Sequence, residues 1–455
     1  MRWMRSGVGL CSCVILGCAV PHAGRPIDVP SYRSALLPAP VEAPPDGTPD
    51  LALQVLAGAE LTVDGAVAVA LARRPDLAVA EAQIDVETAA RIGALTYPNP
   101  EASLTVVRDG ADSPVPQLWL EVSQPIVLSD RRRLGAETAD ANAVAATWEL
   151  FQRRVEAVAE VREAYLEASA AGAAITLARD ELVLAEDFRR VAEIRVAAEA
   201  VPELELLRAR AGMERAQFAV EAAEVELAAR TARLAAVMGV PDAVLPPCPA
   251  LDPEPPALPD AASLEARAVE ESFAVRAAQA RVRAAELAAD AARAQGVPDL
   301  TVFAGYGQSI DPTASLWTVG LGVPLPLFDR NEGAVAEANA QRVRAEAEVL
   351  AAEAEVRADL RIALAEYVGA TASLRSIRDT VAPLADQALA GAEAGYREGG
   401  ADYLVLLDAR RAGVEARALE LQALLEAWLA VARIESLVGP VGRETASPHA
   451  GPEVP

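Results

Sequence analysis

The body of this chain is written twice. Pro98 and Pro298, the stretches Leu204 to Leu207 and Leu404 to Leu407, and Gly239 and Gly439 each stand 200 residues apart, while Pro125 and Pro324, like Asp130 and Asp329, stand 199 apart. So steady an offset across motifs of different kinds marks an internal duplication, and a duplicated chain repeats one supersecondary unit instead of building unrelated domains. The copies occupy about 61–239 and 263–439. Between them, residues 240–262 form a linker: Pro241 to Pro259 is dense in proline and broken by Asp252 and Glu254, so it cannot continue a helix.

Each copy reads in the same order. A short helix comes first, Leu61 to Arg73 with Thr62 as its cap, then a second helix that stops before Pro98 or Pro298. Two short strands follow, then a very long helix, a break, and a last helix closed by glycine. In the strands Leu118, Leu120 and Val122 alternate with Gln117, Trp119, Glu121 and Ser123, and Trp317, Val319, Leu321 and Val323 alternate with Thr318, Gly320 and Gly322. That is the period of a strand with one apolar and one wet face, in lipid or in a soluble domain. Residues 108–116 and 308–315 read as polar hairpin loops.

From Asp130 to about Ala197, and from about Arg330 to Gly395, helix formers run on with Pro383 as the only proline. At 1.5 Å per residue such a segment reaches on the order of 100 Å. Hydrophobic residues make up 52% of the 455 but aromatics only 4%, so the apolar stock is mostly Ala, Val and Leu, suited to closely packed helices. Val335, Ala338, Ala345, Val349, Ala352, Val356 and Leu360 keep near-heptad spacing, with Glu337, Arg344, Glu348, Glu355 and Arg357 on other faces.

The charge balance, 41 basic against 66 acidic residues for a net −25, repels phosphate backbones, so nucleic acid is not an expected partner. With His22 and His449 the only histidines, and Cys248 the only thiol outside the N-terminal region, neither a His/Cys metal site nor a disulfide framework is expected. No cofactor and no reaction are expected, because acid, base and nucleophile side chains show no convergent arrangement.

Arg2 and Arg5 precede the apolar run Gly7 to Leu16, too short to cross a bilayer but sized for an export signal, residues 1–17. Ile15, Leu16, Gly17 and Cys18 resemble a bacterial lipobox, which implies lipid on Cys18; the alternative is ordinary cleavage near Ala23. Residues 18–60 then form a proline-rich tether, and 440–455 a disordered tail.

Over essentially the whole mature sequence this order resembles the TolC-type outer-membrane factor family. The match is carried by Leu61 to Pro75 (LTVDGAVAVALARRP), Tyr97 to Pro100 (YPNP), Val323 to Gly333 (VPLPLFDRNEG) and Tyr396 to Asp402 (YREGGAD) followed by Leu404, Leu407 and Asp408. The resemblance implies a mainly α fold with a small membrane β part: duplicated strand pairs and long helical hairpins, trimerising into a 12-stranded β-barrel in the outer membrane, continued by an α-helical periplasmic barrel. It implies an exit duct of a tripartite efflux pump, with a periplasmic adaptor, an inner-membrane resistance-nodulation-division transporter and outer-membrane lipid as partners. The stretch Pro326 to Asn331 is most similar to the heavy-metal cation branch. The first-copy turn, Val196 to Pro202 (VAAEAVP), departs from the pattern in lacking its Tyr and Gly.

Strand supply supports the trimer: four strands per chain cannot close a wall in lipid, where about eight is the minimum, but identical neighbours can supply the rest. Carboxylates at the far helical turns are candidates for a closable, cation-holding end. Asp402 leads, followed by Glu199, Glu203, Glu398 and Asp408, with Arg397 placed to pair with them; each reads more readily as a solvated helix-end charge. Glu121 and Ser123 are the expected lumen-facing strand residues. The rival reading is a lipid-anchored periplasmic adaptor or coiled-coil scaffold, which would have one hairpin inserted in a soluble β domain.

Overall fold

The computed structural model describes residues 55–107, 117–308, 315–398 and 400–441. Cys18, the export signal, most of the tether, the hairpin tips 108–116 and 309–314, and the tail beyond 441 lie outside the described residues. The elements are α1 (Val63–Arg73), α2 (Pro75–Leu95), β1 (Glu101–Val107), β2 (Gln117–Ile126), α3 (Arg131–Ala197), α4 (Glu203–Val237), α5 (Ala261–Glu271), α6 (Phe273–Gln295), β3 (Leu300–Gln308), β4 (Ser315–Gly322) and α7 (Glu332–Ser376). A π-helical turn, Ile377–Val381, then leads into α8 (Ala382–Arg397) and α9 (Tyr403–Val438). Gln308 and Ser315 pair with each other within the sheet, so the second hairpin loop is shorter than the sequence suggested.

Local chemistry sets the boundaries. Thr62 caps α1 by accepting a hydrogen bond from the Gly65 amide. Pro75 opens α2 at a position where the missing N–H costs nothing, and Pro202 does the same before α4. Gly239 closes the first copy at φ +75°, where a Cβ would meet the carbonyl group of Arg73 at 3.0 Å; glycine is needed there for both reasons. Pro383 does not break its helix. The register slips into the π-helical turn just before it, absorbing the lost hydrogen bond.

The 67 residues of α3 span about 100 Å. Toward the sheet α3 packs on α2 and α6, and toward its other end on α4; α7 likewise lies between α6 and α9. Two equivalent cores sit mid-length, one around Leu61, Val161, Leu234 and Met238, the other around Leu264, Leu360, Ile434 and Val438. Elsewhere the buried residues are mainly alanines, such as Ala143, Ala157, Ala185 and Ala192, small enough for helices to approach closely.

The linker crosses this mid-length zone as a strap held by its own carbonyls. The Leu61 amide donates to Pro247 O at 3.0 Å, Trp428 Nε1 to Asp252 O at 2.8 Å, Arg378 Nη1 to Pro253 O at 2.8 Å and the Tyr367 hydroxyl to Pro256 O at 2.7 Å, while Ser169 Oγ reaches Pro249 O. The strap thus ties α3, α7, the π-helical turn and α9 together.

The strands form one antiparallel sheet in the order β1-β2-β3-β4, with β2 and β3 joining the two copies. Its outer strands, β1 and β4, each have one unpaired edge within the chain. Among the described residues no helix is long and apolar enough to cross a membrane.

Candidate functional site

Two regions carry the candidates. The first is the sheet. Register places Leu104, Leu120, Tyr306 and Trp317 in one row across all four strands, with Val122, Ala304 and Val319 in the next. These side chains are exposed: Leu104 is 66% accessible, Val319 65% and Trp317 78%. A water-soluble domain would cover such a surface.

The opposite face carries Ser103, Thr105, Glu121, Ser123 and Thr318 with Gly305, Gly307 and Gly320, so Glu121 and Ser123 lie on the polar face of the sheet. Trp119 also lies on this face, and Trp317 on the other. The ring of Trp119 lies flat over two glycines: a Cβ on Gly305 would come within 2.7 Å of it and a Cβ on Gly307 within 2.3 Å. Phe303 covers Gly320 in the same way. Bare backbone beneath each ring lets an aromatic side chain lie along the wall instead of standing off it.

The second region lies at the far turns, α3 to α4 and α8 to α9. The first closes as a Schellman motif, and the second carries the matching outer bond. Ala200 N donates to Arg195 O and Glu199 N to Val196 O, each at 2.9 Å, and Gly400 N donates to Gly395 O at 2.8 Å. Glu199 adopts φ +55°, a left-handed conformation that glycine takes without strain. Asp402 is exposed and caps α9, its Oδ1 accepting from the Tyr403 amide at 2.8 Å. Glu199, Glu203, Glu398 and Asp408 are exposed as well. Arg397 does not pair with any of these candidates. Its guanidinium donates to Glu393 at 3.0 Å, one helical turn back, a partner the i,i+4 spacing makes nearer than any acid across the turn.

Behind these exposed acids lies a buried polar cluster that the sequence did not single out. The Tyr396 hydroxyl donates to Glu205 Oε1 at 2.5 Å, and Arg195 sits 4.3 Å over the Tyr396 ring and 3.6 Å from the same carboxylate. Burial, and then the bond to Glu205, push the Tyr396 hydroxyl up to about 12. Beside it Arg410 donates through Nη2 to Glu181 O at 2.7 Å and stacks on Phe188 at 5.0 Å; burial pulls its guanidinium below the usual range, with Glu181 opposing. The cluster joins α3 and α4 of the first copy to α8 and α9 of the second. Next to it a groove of about 460 Å³ runs between α3, α4 and α9, lined by Ala178, Glu181, Gly212, Met213, Tyr403 and Arg410.

A sheet with a bare apolar face, a polar face lined by flattened aromatics, and helices reaching about 100 Å away from it define a channel-forming protein of the outer membrane. Comparison with known proteins gives the family: the pattern of the outer membrane efflux proteins matches residues 66–240 and 264–440, once in each copy, and the chain belongs to that family. It is 29% identical over 392 residues to the cobalt-zinc-cadmium resistance protein CzcC of Cupriavidus metallidurans, covering 84% of this chain and 91% of that one. It is also 29% identical to the nickel-cobalt-cadmium resistance protein NccC of Alcaligenes xylosoxydans xylosoxydans, over 60% of this chain and 63% of that one. The fold is shared with the CusC channel, at a TM-score of 0.68 and 18% identity, over 87% of this chain and 95% of that one. The protein is therefore an efflux channel component of the outer membrane and not an enzyme.

Proposed function

We propose that three copies of this chain close a 12-stranded barrel and serve as the exit duct of a tripartite efflux pump. Substrate passes from an inner-membrane transporter of the resistance-nodulation-division type, through a periplasmic adaptor, to the outside. One observation carries this reading: a sheet of four strands with an exposed apolar face and two free edges. Lipid tolerates no open sheet edge, so β1 of one copy must pair with β4 of the next, and three copies close the ring. Residues 1–17 direct export and 18–60 tether the body through a lipidated Cys18. The two repeats, 61–239 and 263–439, build the wall on either side of the 240–262 linker, and 440–455 trails as a tail.

The far turns form the closable end. Three Asp402 carboxylates, backed by Glu199, Glu203, Glu398 and Asp408, ring the axis and favour cations. The groove beside Tyr403 and Arg410 receives the adaptor. Heavy-metal cations are the cargo, supported by the resistance relatives that match across most of the chain.

Detergent-extracted mass followed by planar-bilayer recording tests the assembly. A conducting trimer is expected; a silent monomer would return the chain to the adaptor reading. Cells lacking the protein should tolerate less cobalt, zinc or cadmium, and unchanged tolerance to all three would remove metal cations as cargo.

A further inference from the structure

Two helices carry exposed apolar stripes. On α2, Val79, Ala82, Val86, Ala89 and Gly93 alternate spacings of three and four residues, and all are exposed, Val79 to 71%. On α7, Ala336, Ala340, Val343, Ala347, Leu350 and Ala354 do the same, and all are exposed, Leu350 to 69%. Each stripe has the pattern of a helix that packs lengthwise on another.

The inside of one copy shows what such stripes meet. α7 repeats α3 at an offset of 199 residues, as Leu360 and Val161 show in the two mid-length cores, and α6 repeats α2 at 198, as Phe273 and Pro75 show at the helix starts. The duplication makes the α3–α6 seam the counterpart of a seam between α7 of one copy and α2 of the next. In α3–α6, Val144, Trp148, Phe151 and Val155 cluster with Phe273, Ala277 and Ala280. The rings of Phe151 and Phe273 lie 5.5 Å apart, and Arg281 Nε donates to Glu149 at 2.9 Å. Carried over by the two offsets, the α3 residues become Val343, Ala347, Leu350 and Ala354, and the α6 residues become Pro75, Val79 and Ala82. All of these are exposed, and they fall on the two stripes.

The sheet edges agree. Val122 of β2 pairs with Ala304 of β3, and the same duplication sets Leu321 of β4 beside Leu104 of the next copy's β1. The row that starts at Leu104 reaches β4 at Trp317, so the ring closes with a stagger of four residues per copy. That is about 13 Å along the strands for about 19 Å of wall, a tilt of about 35°, within the range of membrane barrels.

We propose that a second copy of this chain seats its α7 stripe on this α2 stripe, antiparallel and in the register of the inner seam: Val86 against Val343, Ala82 against Ala347, and Val79 against Leu350 of the next copy. The filling differs. Ala347, Leu350 and Pro75 stand where Trp148, Phe151 and Phe273 pack, and Gln83 facing Glu348 stands where Arg281 bonds Glu149. Seams pinned by aromatic rings and an ion pair therefore alternate around the ring with seams that lack both. This rests on the trimer reading, and adds which residues meet and in what register.

The test uses the full chain carrying Cys248→Ala, extracted as the assembly, with cysteine pairs added and oxidised. Because α3 and α6 stand between α2 and α7 of one copy, a disulfide between these helices joins copies. Val86→Cys with Val343→Cys, and Ala82→Cys with Ala347→Cys, should each give a covalent trimer on a non-reducing gel. Val86→Cys with Leu350→Cys is two turns out of register, about 10 Å along the axis and beyond the roughly 7 Å a disulfide spans, and should stay monomeric on the gel. Cross-linking of the shifted pair in place of the matched pairs would overturn the register. A trimer by mass in which no pair cross-links would overturn the seam and leave the stripes to another partner, such as the adaptor. A monomer by mass would instead remove the trimer reading itself.

Discussion

The Tyr396 hydroxyl donates to the Glu205 carboxylate across 191 residues of sequence, at 2.5 Å, and so fastens the far end of one repeat to the far end of the other. Glu205 is only 9% accessible, and Arg195 completes its coordination. Tyr396→Phe leaves that carboxylate without its hydroxyl partner, which costs about 1–3 kcal/mol. Thermal unfolding should fall accordingly, and hydrogen exchange should rise first in the turns around residues 195–205 and 396–403. Unchanged exchange there would show that the bond does not hold the turns.

Glu199 takes a left-handed backbone in a turn where the second copy, 200 residues on, has Gly399. Glu199→Gly relieves a strain of roughly 1 kcal/mol and should raise the melting temperature. A fall in melting temperature would mean that the Glu199 side chain contributes more than its backbone costs.

Trp119 lies flat because Gly305 and Gly307 leave room for it. Gly307→Ala lifts the ring off the polar face of the sheet at a cost of about 1–3 kcal/mol and should lower single-channel conductance. Adding Trp119→Ala to that variant should restore conductance. If the double variant conducts as poorly as the single one, the ring is not the obstruction.

Asp402 both caps α9 and offers a charge, and Asn caps a helix as well as Asp. Asp402→Asn therefore removes charge while keeping the turn, and should weaken cation preference in bilayer recordings with little change in stability. Superimposable current-voltage curves would exclude Asp402 from the closing end.

Burial pushes the Cys248 thiol from its ordinary 9.0 up to about 11. Thiolate is the reacting form, so at about pH 8 the folded protein should be alkylated about a hundredfold more slowly than a free thiol. Because the folded value is raised, the stabilising contribution is complete below about pH 9 and is lost as pH climbs through about 11. Equal alkylation rates before and after denaturation would contradict the burial.

Much of the architecture was legible in the residues. The alternation of Leu118 to Ser123 and of Trp317 to Val323 gave the two sheet faces, and the prolines and closing glycines gave the helix ends. The π-helical turn before Pro383 was not legible, since proline there reads equally as a kink or a break. Glu205, Arg195 and Arg410 were missed for another reason: on an alanine-rich helix a charge buried against a distant segment has the same spacing as one in solvent. Only the pairing of the two repeats distinguishes them. Arg397 shows the converse, where a charge at a turn is satisfied within its own helix.

The linker strap is hydrogen-bonded through its main-chain oxygens, and every peptide unit offers one whatever its side chain, while Leu245, Cys248, Leu251 and Leu258 pack against the cores. Residue identity along the rest of the strap can therefore drift while its path is kept. The burden of fidelity falls instead on the donors that read it, Ser169, Tyr367, Arg378 and Trp428, and a change at any of these would loosen the seam at which two ancestral halves were joined.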